Sequence, residues 1–157
     1  MNNFIFNMPT CVLFGAGQLN HLHEEKLPGK KALIITSNGQ SAKKYGYLDR
    51  VEKGLELAGA KHALYDEVRP NPTRVNVMDG AKAARDNGCD FVVALGGGSV
   101  MDCAKCIALM AANPGDIWDY SLSKNGRKKT AEFDAIPVVA ITTSAGTGSK
   151  VDIAAVI

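Results

Sequence analysis

Histidine, aromatic side chains and uncompensated charge are all scarce in this sequence, and each shortage removes a class of function. Lys and Arg number 18 against 16 Asp and Glu, a net charge of +2, and the short runs Lys43-Lys44 and Arg127-Lys128-Lys129 read as solvated faces rather than a basic stripe, so nucleic acid is not expected as a partner. No apolar run approaches the roughly 18 residues of a membrane span. Met1-Asn2-Asn3 begins no charged and apolar leader, and the expectation is a cytoplasmic protein. The four cysteines form no pair of metal knuckles. Cys103-x-x-Cys106 would lie on one face of a helix with no second pair, which points to packing and to reduced thiols. The three histidines, His21, His23 and His62, stand at no metal-ligand spacing with an acid and beside no recognisable nucleophile. At 157 residues the chain has room for one domain.

What the sequence does have is Phe91-Val92-Val93-Ala94-Leu95 running into Gly96-Gly97-Gly98-Ser99. An unbroken apolar run with β-branched residues and a glycine stop predicts a strand buried on both faces, as in a parallel sheet. The glycines predict a sharp turn with dihedrals closed to other residues and no Cβ between main chain and ligand. A helix follows, for which Ser99 is expected as N-cap and Asp102 as the second half of a capping box. Strand, bare turn and helix start together aim free N–H groups and a positive helix end at one point, suiting a phosphate or pyrophosphate at Gly97, Gly98 and Ser99.

The other elements fall into the same rhythm. Phe4 to Met8 predicts an edge strand that pairs with Cys11 to Phe14 or with a second subunit, giving a homodimer through the amino-terminal strand. Gly15-Ala16-Gly17 imitates a dinucleotide fingerprint but lacks its third glycine, since Asn20 stands there, and is read as a turn. Lys31 to Thr36 predicts a second buried strand, and a polar loop from Ser37 to Lys44 leads to a helix over Tyr47 to Ala58. Ala60 to Tyr65 predicts a third strand near an edge, and Thr73 an N-cap for a helix reaching Asn87. After a helix from Ser99 to Ala112, Asp116 to Tyr120 predicts a capped single turn with an aromatic anchor, and Asn125-Gly126 a turn in a mobile polar loop. A last strand, Ile136 to Ile141, runs into Thr142-Thr143-Ser144-Ala145-Gly146-Thr147-Gly148-Ser149, a second polar lip facing the first turn. Alternating strands and helices predict an α/β fold, a Rossmann-like parallel sheet with helices on both faces.

These segments resemble the iron-containing alcohol dehydrogenase family. The match rests on Gly96-Gly97-Gly98-Ser99-x-x-Asp102-x-x-Lys105 and Thr142-Thr143-x-x-Gly146-Thr147-Gly148-Ser149, with softer support from Pro70-Asn71-Pro72 and Gly115-Asp116-Ile117-Trp118-Asp119-Tyr120. The resemblance implies a dinucleotide-binding domain over residues 1–157, hydride transfer between an alcohol or aldehyde and NAD or NADP, and an iron or zinc ion held by a later, all-α domain absent from this sequence. By the same resemblance, the pyrophosphate lies at Gly97, Gly98 and Ser99, and Asp102 near the nicotinamide ribose or ring. Asn71 faces the cleft or serves only its own turn, Thr142 and Thr143 touch the nucleotide, and Ala145, Val151 and Ile153 border the nicotinamide end.

Two departures matter. Where many family members carry Asp after the first buried strand, this chain has Ser37, resembling the butanol dehydrogenase and aldehyde reductase branch that accepts NADP; Gly39, Gln40 and Ser41 are then expected at a 2′-phosphate. Lys150 stands where the family usually has Glu, a charge reversal beside the cleft. Relatives such as glycerol dehydrogenase or dehydroquinate synthase share the first motif, and a non-catalytic nucleotide-binding module is the reading of a different class. The apolar pattern Ala154 to Ile157 at the end of the sequence is read as a strand cut short, hence a fragment.

Overall fold

The structure, a computed structural model, describes residues 8–157. Its centre is a four-stranded sheet formed by β1 (Lys31–Ser37), β2 (Lys61–Val68), β3 (Phe91–Gly96) and β4 (Val138–Thr142), in the spatial order β2-β1-β3-β4 with every neighbouring pair parallel. The two apolar runs occupy the middle positions, where both faces of a strand are covered. Ala32 to Ile35 and Phe91 to Leu95 are accordingly all fully buried.

Alternate side chains of these strands serve two cores. Leu33, Ile35, Val92 and Ala94 pack with α3 (Arg74–Asp86) and α4 (Gly98–Ala112) on one face. Ala32, Ile34, Phe91, Val93 and Leu95 pack on the other against α2 (Tyr47–Leu57) and Leu22 of a 3-10 helix over Gln18–Glu24. The period of two in a strand thus feeds both layers at once. Each fully buried Leu, Ile, Val or Phe contributes about 1.5–3 kcal/mol relative to exposure.

Several boundaries differ from those expected. β2 runs three residues beyond Tyr65 to Val68, and β4 begins at Val138 because Pro137, which has no N–H, precedes it. Ser41–Lys44 is one helical turn, α1, inside the expected loop. Cys11 to Phe14 form no strand and are exposed, while the proposed partner strand lies, apart from Met8, outside the described residues. Ala154 to Ile157 likewise form no strand. Gly17 caps the 3-10 helix at φ 83°, so the imitation fingerprint is a turn. The single turn α5 (Ile117–Tyr120) is capped by Asp116 as expected, and its aromatic anchor is Tyr120, buried with Ile117; Trp118 is 41% exposed. Thr73 caps α3 with Asn76 completing a capping box.

Cys103 is buried and Cys106 half-buried among the α4 core residues, confirming a packing role. Burial pushes the Cys103 thiol up to about 12 and the Cys106 thiol to about 11. Among the described residues no helix is long and apolar enough to cross a membrane.

Candidate cofactor-binding site

The strand order fixes where a ligand can enter. The chain passes from β1 outward to β2, then returns to place β3 on the other side of β1, so the connections leaving β1 and β3 diverge at their carboxyl ends. In open parallel sheets that divergence opens a crevice. Here it holds a cleft of about 430 Å³ lined on one side by Thr36, Ser37, Ser41 and Arg69, and on the other by Gly96 to Val100 and Thr143.

Three hydrogen bonds tie the ends of all four strands together beneath it. The buried Thr36 hydroxyl donates to Leu95 O at 2.9 Å, and Thr143 N–H donates to Gly96 O at 3.0 Å. Asn38 N–H donates to Val68 O at 3.0 Å, fastening the loop after β1 to the end of β2. Thr36 was not singled out from sequence, although a hydroxyl at the last buried position of an apolar strand is the available signal. Arg69 was missed too, because it becomes part of the cleft only through the three-residue extension of β2.

The glycine turn differs from expectation in an instructive way. None of Gly96, Gly97 and Gly98 has a positive φ. Unusual dihedrals therefore account for none of them, and the space around each differs. A Cβ at Gly96 would stand 2.6 Å from Val100 Cγ2, and one at Gly97 would stand 3.2 Å from Ser144 Oγ. At Gly98 a Cβ would meet nothing within 4 Å. Ser99 is not the N-cap: α4 starts one residue earlier, Gly97 takes the cap position, and no side chain caps it. The first N–H groups of a helix have no carbonyl one turn back to receive them, so those of Gly98 and Ser99, two residues that line the cleft, have no helical partner.

Asp102 does not complete a capping box either. Ser149 Oγ donates to its Oδ1 at 2.5 Å and Val156 N–H to its Oδ2 at 3.1 Å. Both oxygens are used to bring the chain after β4 against α4. Lys105, one turn further, reaches the same segment.

Of the remaining residues expected at the site, Ser41, Gly97, Gly98, Ser99 and Thr143 line the cleft together. Gly39 and Gln40 are exposed in the loop between Ser37 and Ser41. Asn71 is exposed beside the lining residue Pro70, at φ 54° in the left-handed region that Asn tolerates. Thr142 ends β4 and its hydroxyl donates to Ser144 O at 2.6 Å. Ala145 is exposed and its carbonyl accepts from Lys150 Nζ at 3.2 Å, so the reversed charge closes the loop over residues 145–150. Val151 is half-buried in a 3-10 turn (Ser149–Val151), and Ile153 is fully exposed. Lys43 is engaged by Asp66 at 2.5 Å, a contact that raises its pKa.

The sequence profile described as iron-containing alcohol dehydrogenase matches residues 9–157. The chain belongs to that family. It is 38% identical over 157 residues to the probable NADH-dependent butanol dehydrogenase 1 of Bacillus subtilis, covering 100% of this chain and 39% of the relative. It is 37% identical over 150 residues to the 1,3-propanediol dehydrogenase of Klebsiella pneumoniae, covering 94% of this chain and 38% of that one. Among solved structures, an archaeal halo-thermophilic Red Sea brine pool alcohol dehydrogenase superposes with a TM-score of 0.86 at 39% identity, over 95% of this chain and 38% of its own. This member of the family thus spans about two fifths of the length of the relatives it matches. Its parallel sheet and helices correspond to their Rossmann-like part.

Proposed function

We propose that this chain is the dinucleotide-binding part of a cytoplasmic enzyme that moves hydride between a small alcohol or aldehyde and a nicotinamide cofactor. The observation that carries this reading is Gly98. It has ordinary dihedrals, no neighbour within 4 Å of an added Cβ, and a place in the first turn of a helix. Alanine there would be more favourable by up to about 1 kcal/mol. A glycine that neither the fold nor the turn requires is explained by the close approach of a ligand.

The residues of the cleft fit a dinucleotide. The N–H groups of Gly98 and Ser99 would receive the pyrophosphate, with Gly97 leaving room for it. The Ser37 to Ser41 loop would take the adenosine ribose, and Thr143 with Ala145, Val151 and Ile153 the nicotinamide end. When bound, the nicotinamide ring supplies the hydride acceptor or donor. The protein's part is to hold the charged linker by backbone donors and to fix the ring's position between the two lips. Among the described residues no group of three or more His, Cys, Asp or Glu could hold a metal ion. The iron or zinc that the family resemblance implies is assigned to none of the cleft residues.

We further assign the cleft to the 2′-phosphorylated cofactor, NADP, in contrast to the relatives named as NADH-dependent. No carboxylate lines the cleft among the described residues, whereas Arg69, Ser37 and Ser41 do. A cation with hydroxyls suits a phosphate; a free ribose is usually met by an acid. A homodimer through the amino-terminal segment is consistent with the exposure of Val12, Leu13 and Phe14, at 53%, 52% and 96%.

Titrating the full-length protein with NADPH and NADH, by the fluorescence of the reduced ring, tests both levels. Tighter binding of NADPH, weakened about tenfold by Arg69→Gln while NADH is unaffected, is expected. A strong preference for NADH would overturn the 2′-phosphate assignment alone. Binding of neither would overturn the dinucleotide reading.

A further inference from the structure

We propose that Lys105 is a positioning residue for the cofactor site: its ammonium clamps residues 149–154 onto α4 and so sets the gap between the two lips of the cleft. The inference rests on the dinucleotide reading above.

The ammonium has three N–H donors, and three close acceptors surround it. They are Ser149 O at 3.0 Å, Asp152 Oδ1 at 2.8 Å and the carbonyl of Ala154. Asp102 Oδ1 lies at 3.5 Å and neutralises charge from the same helix. A lysine on a free surface extends into water, but this side chain is only 17% exposed. All three close acceptors belong to one short stretch, entered directly from the Gly146 to Ser149 end of the second lip. The reciprocal effect is seen on Asp152, whose carboxyl is held below the usual range by the hydrogen bond from Lys105.

The clamp fixes the residues on either side of Ile153, Asp152 and Ala154, while Ile153 itself is fully exposed. Lys105 does not line the cleft and meets the second lip only at its last residue, Ser149, so its contribution passes through the segment it holds.

The test compares wild type, Lys105→Met and Lys105→Arg in the full-length protein. Hydrogen exchange without cofactor reads the clamp, and the Kd for NADPH and NADH with the kcat read the site. Lys105→Met is expected to speed exchange over residues 149–156 while leaving β1 and β3 protected. It should raise the Kd for both cofactors about tenfold, with a smaller change in kcat, as loss of a charged hydrogen-bond set implies. Lys105→Arg, which keeps charge and donors, should restore most of the affinity. Should Lys105→Met fail to fold, Asp152→Ala removes one exposed acceptor and is expected to act in the same direction to a smaller extent. Unchanged exchange would refute the clamp. Faster exchange with unchanged cofactor affinity would show a purely structural tie and refute the positioning role. A wild-type protein that binds neither cofactor would instead refute the underlying reading, while the exchange result would still stand.

Discussion

The Ser149 hydroxyl donates a 2.5 Å hydrogen bond to Asp102 Oδ1, joining the last residue of one glycine-rich motif to the helix that follows the other. The two stretches are 47 residues apart in sequence. Their bond makes the cleft's two lips one structure rather than two loops. Ser149→Ala leaves the half-buried carboxylate with one acceptor site fewer in use and is expected to cost about 1 kcal/mol, read as a lower urea midpoint with an unchanged m-value.

Gly98 separates the needs of ligand and fold. Because nothing stands within 4 Å of an added Cβ and its φ is ordinary, Gly98→Ala should leave stability unchanged or raise it by up to about 1 kcal/mol. The same methyl group would stand where the pyrophosphate must approach, so cofactor affinity should fall at least tenfold, and further for Gly98→Val. Thermal melts and fluorescence titrations on the same samples give both results. Unchanged affinity in Gly98→Val would remove the phosphate assignment.

This separation also shows what was legible in the sequence. The buried strands were readable because Leu33-Ile34-Ile35 and Val92-Val93-Ala94-Leu95 have no polar side to mistake for a surface. The glycine turn was readable as a place, but its mechanism was not: a sequence cannot distinguish a glycine needed for positive φ from one needed for space, and here none has a positive φ, Gly96 is crowded by Val100, and Gly98 has open space around it. Ser99 and Asp102 have the spacing of a capping box, yet Asp102 is drawn to Ser149 and Val156, partners that only the tertiary fold supplies. Arg69 was invisible because its role depends on how far β2 extends, and strand ends are set by pairing with β1 as much as by composition.

The approach of α3 to α4 depends on one missing side chain. A Cβ at Gly80 would lie 2.3 Å from Ile107 Cδ1 and 3.1 Å from Tyr65 Cε1, both in the buried core. Alanine would gain about 1 kcal/mol of helix propensity but force overpacking that typically costs about 1–3 kcal/mol. Gly80→Ala is therefore expected to destabilise by about 1 kcal/mol, a fall of roughly 2–4 °C in Tm for a chain of this size. Pairing it with Ile107→Val should recover part of the loss.

Asp90 fastens the start of β1 to the start of β3. Its Oδ1 accepts from Lys31 N–H at 2.8 Å and its Oδ2 from Lys30 N–H at 2.9 Å. Burial opposes its ionisation, but these backbone donors outweigh it and hold the carboxyl below the usual range. A carboxyl whose pKa is lower folded than unfolded stabilises above the unfolded value, about 3.9, and loses that contribution as pH falls through the folded one. Asp90→Asn, which cannot lose a charge, should be less stable than wild type at pH 7 and converge toward it as pH falls below the unfolded value, as followed by denaturant midpoints across that range.

Thiol chemistry tests the packing of α4 directly. Burial pushes the Cys103 thiol up to about 12 and the Cys106 thiol up to about 11, so both stay protonated at pH 8. Only the thiolate reacts, and Cys103 is buried while Cys11 is exposed. Iodoacetamide at pH 8 should therefore modify Cys11 first in the native protein and reach Cys103 and Cys106 only after unfolding in guanidinium, as peptide masses would show. Cys89, half-buried and with its pKa raised by burial, should react at an intermediate rate. Native labelling of Cys103 as fast as Cys11 would mean that α4 does not seat against the sheet, and the helix start that faces the cleft would lose its support.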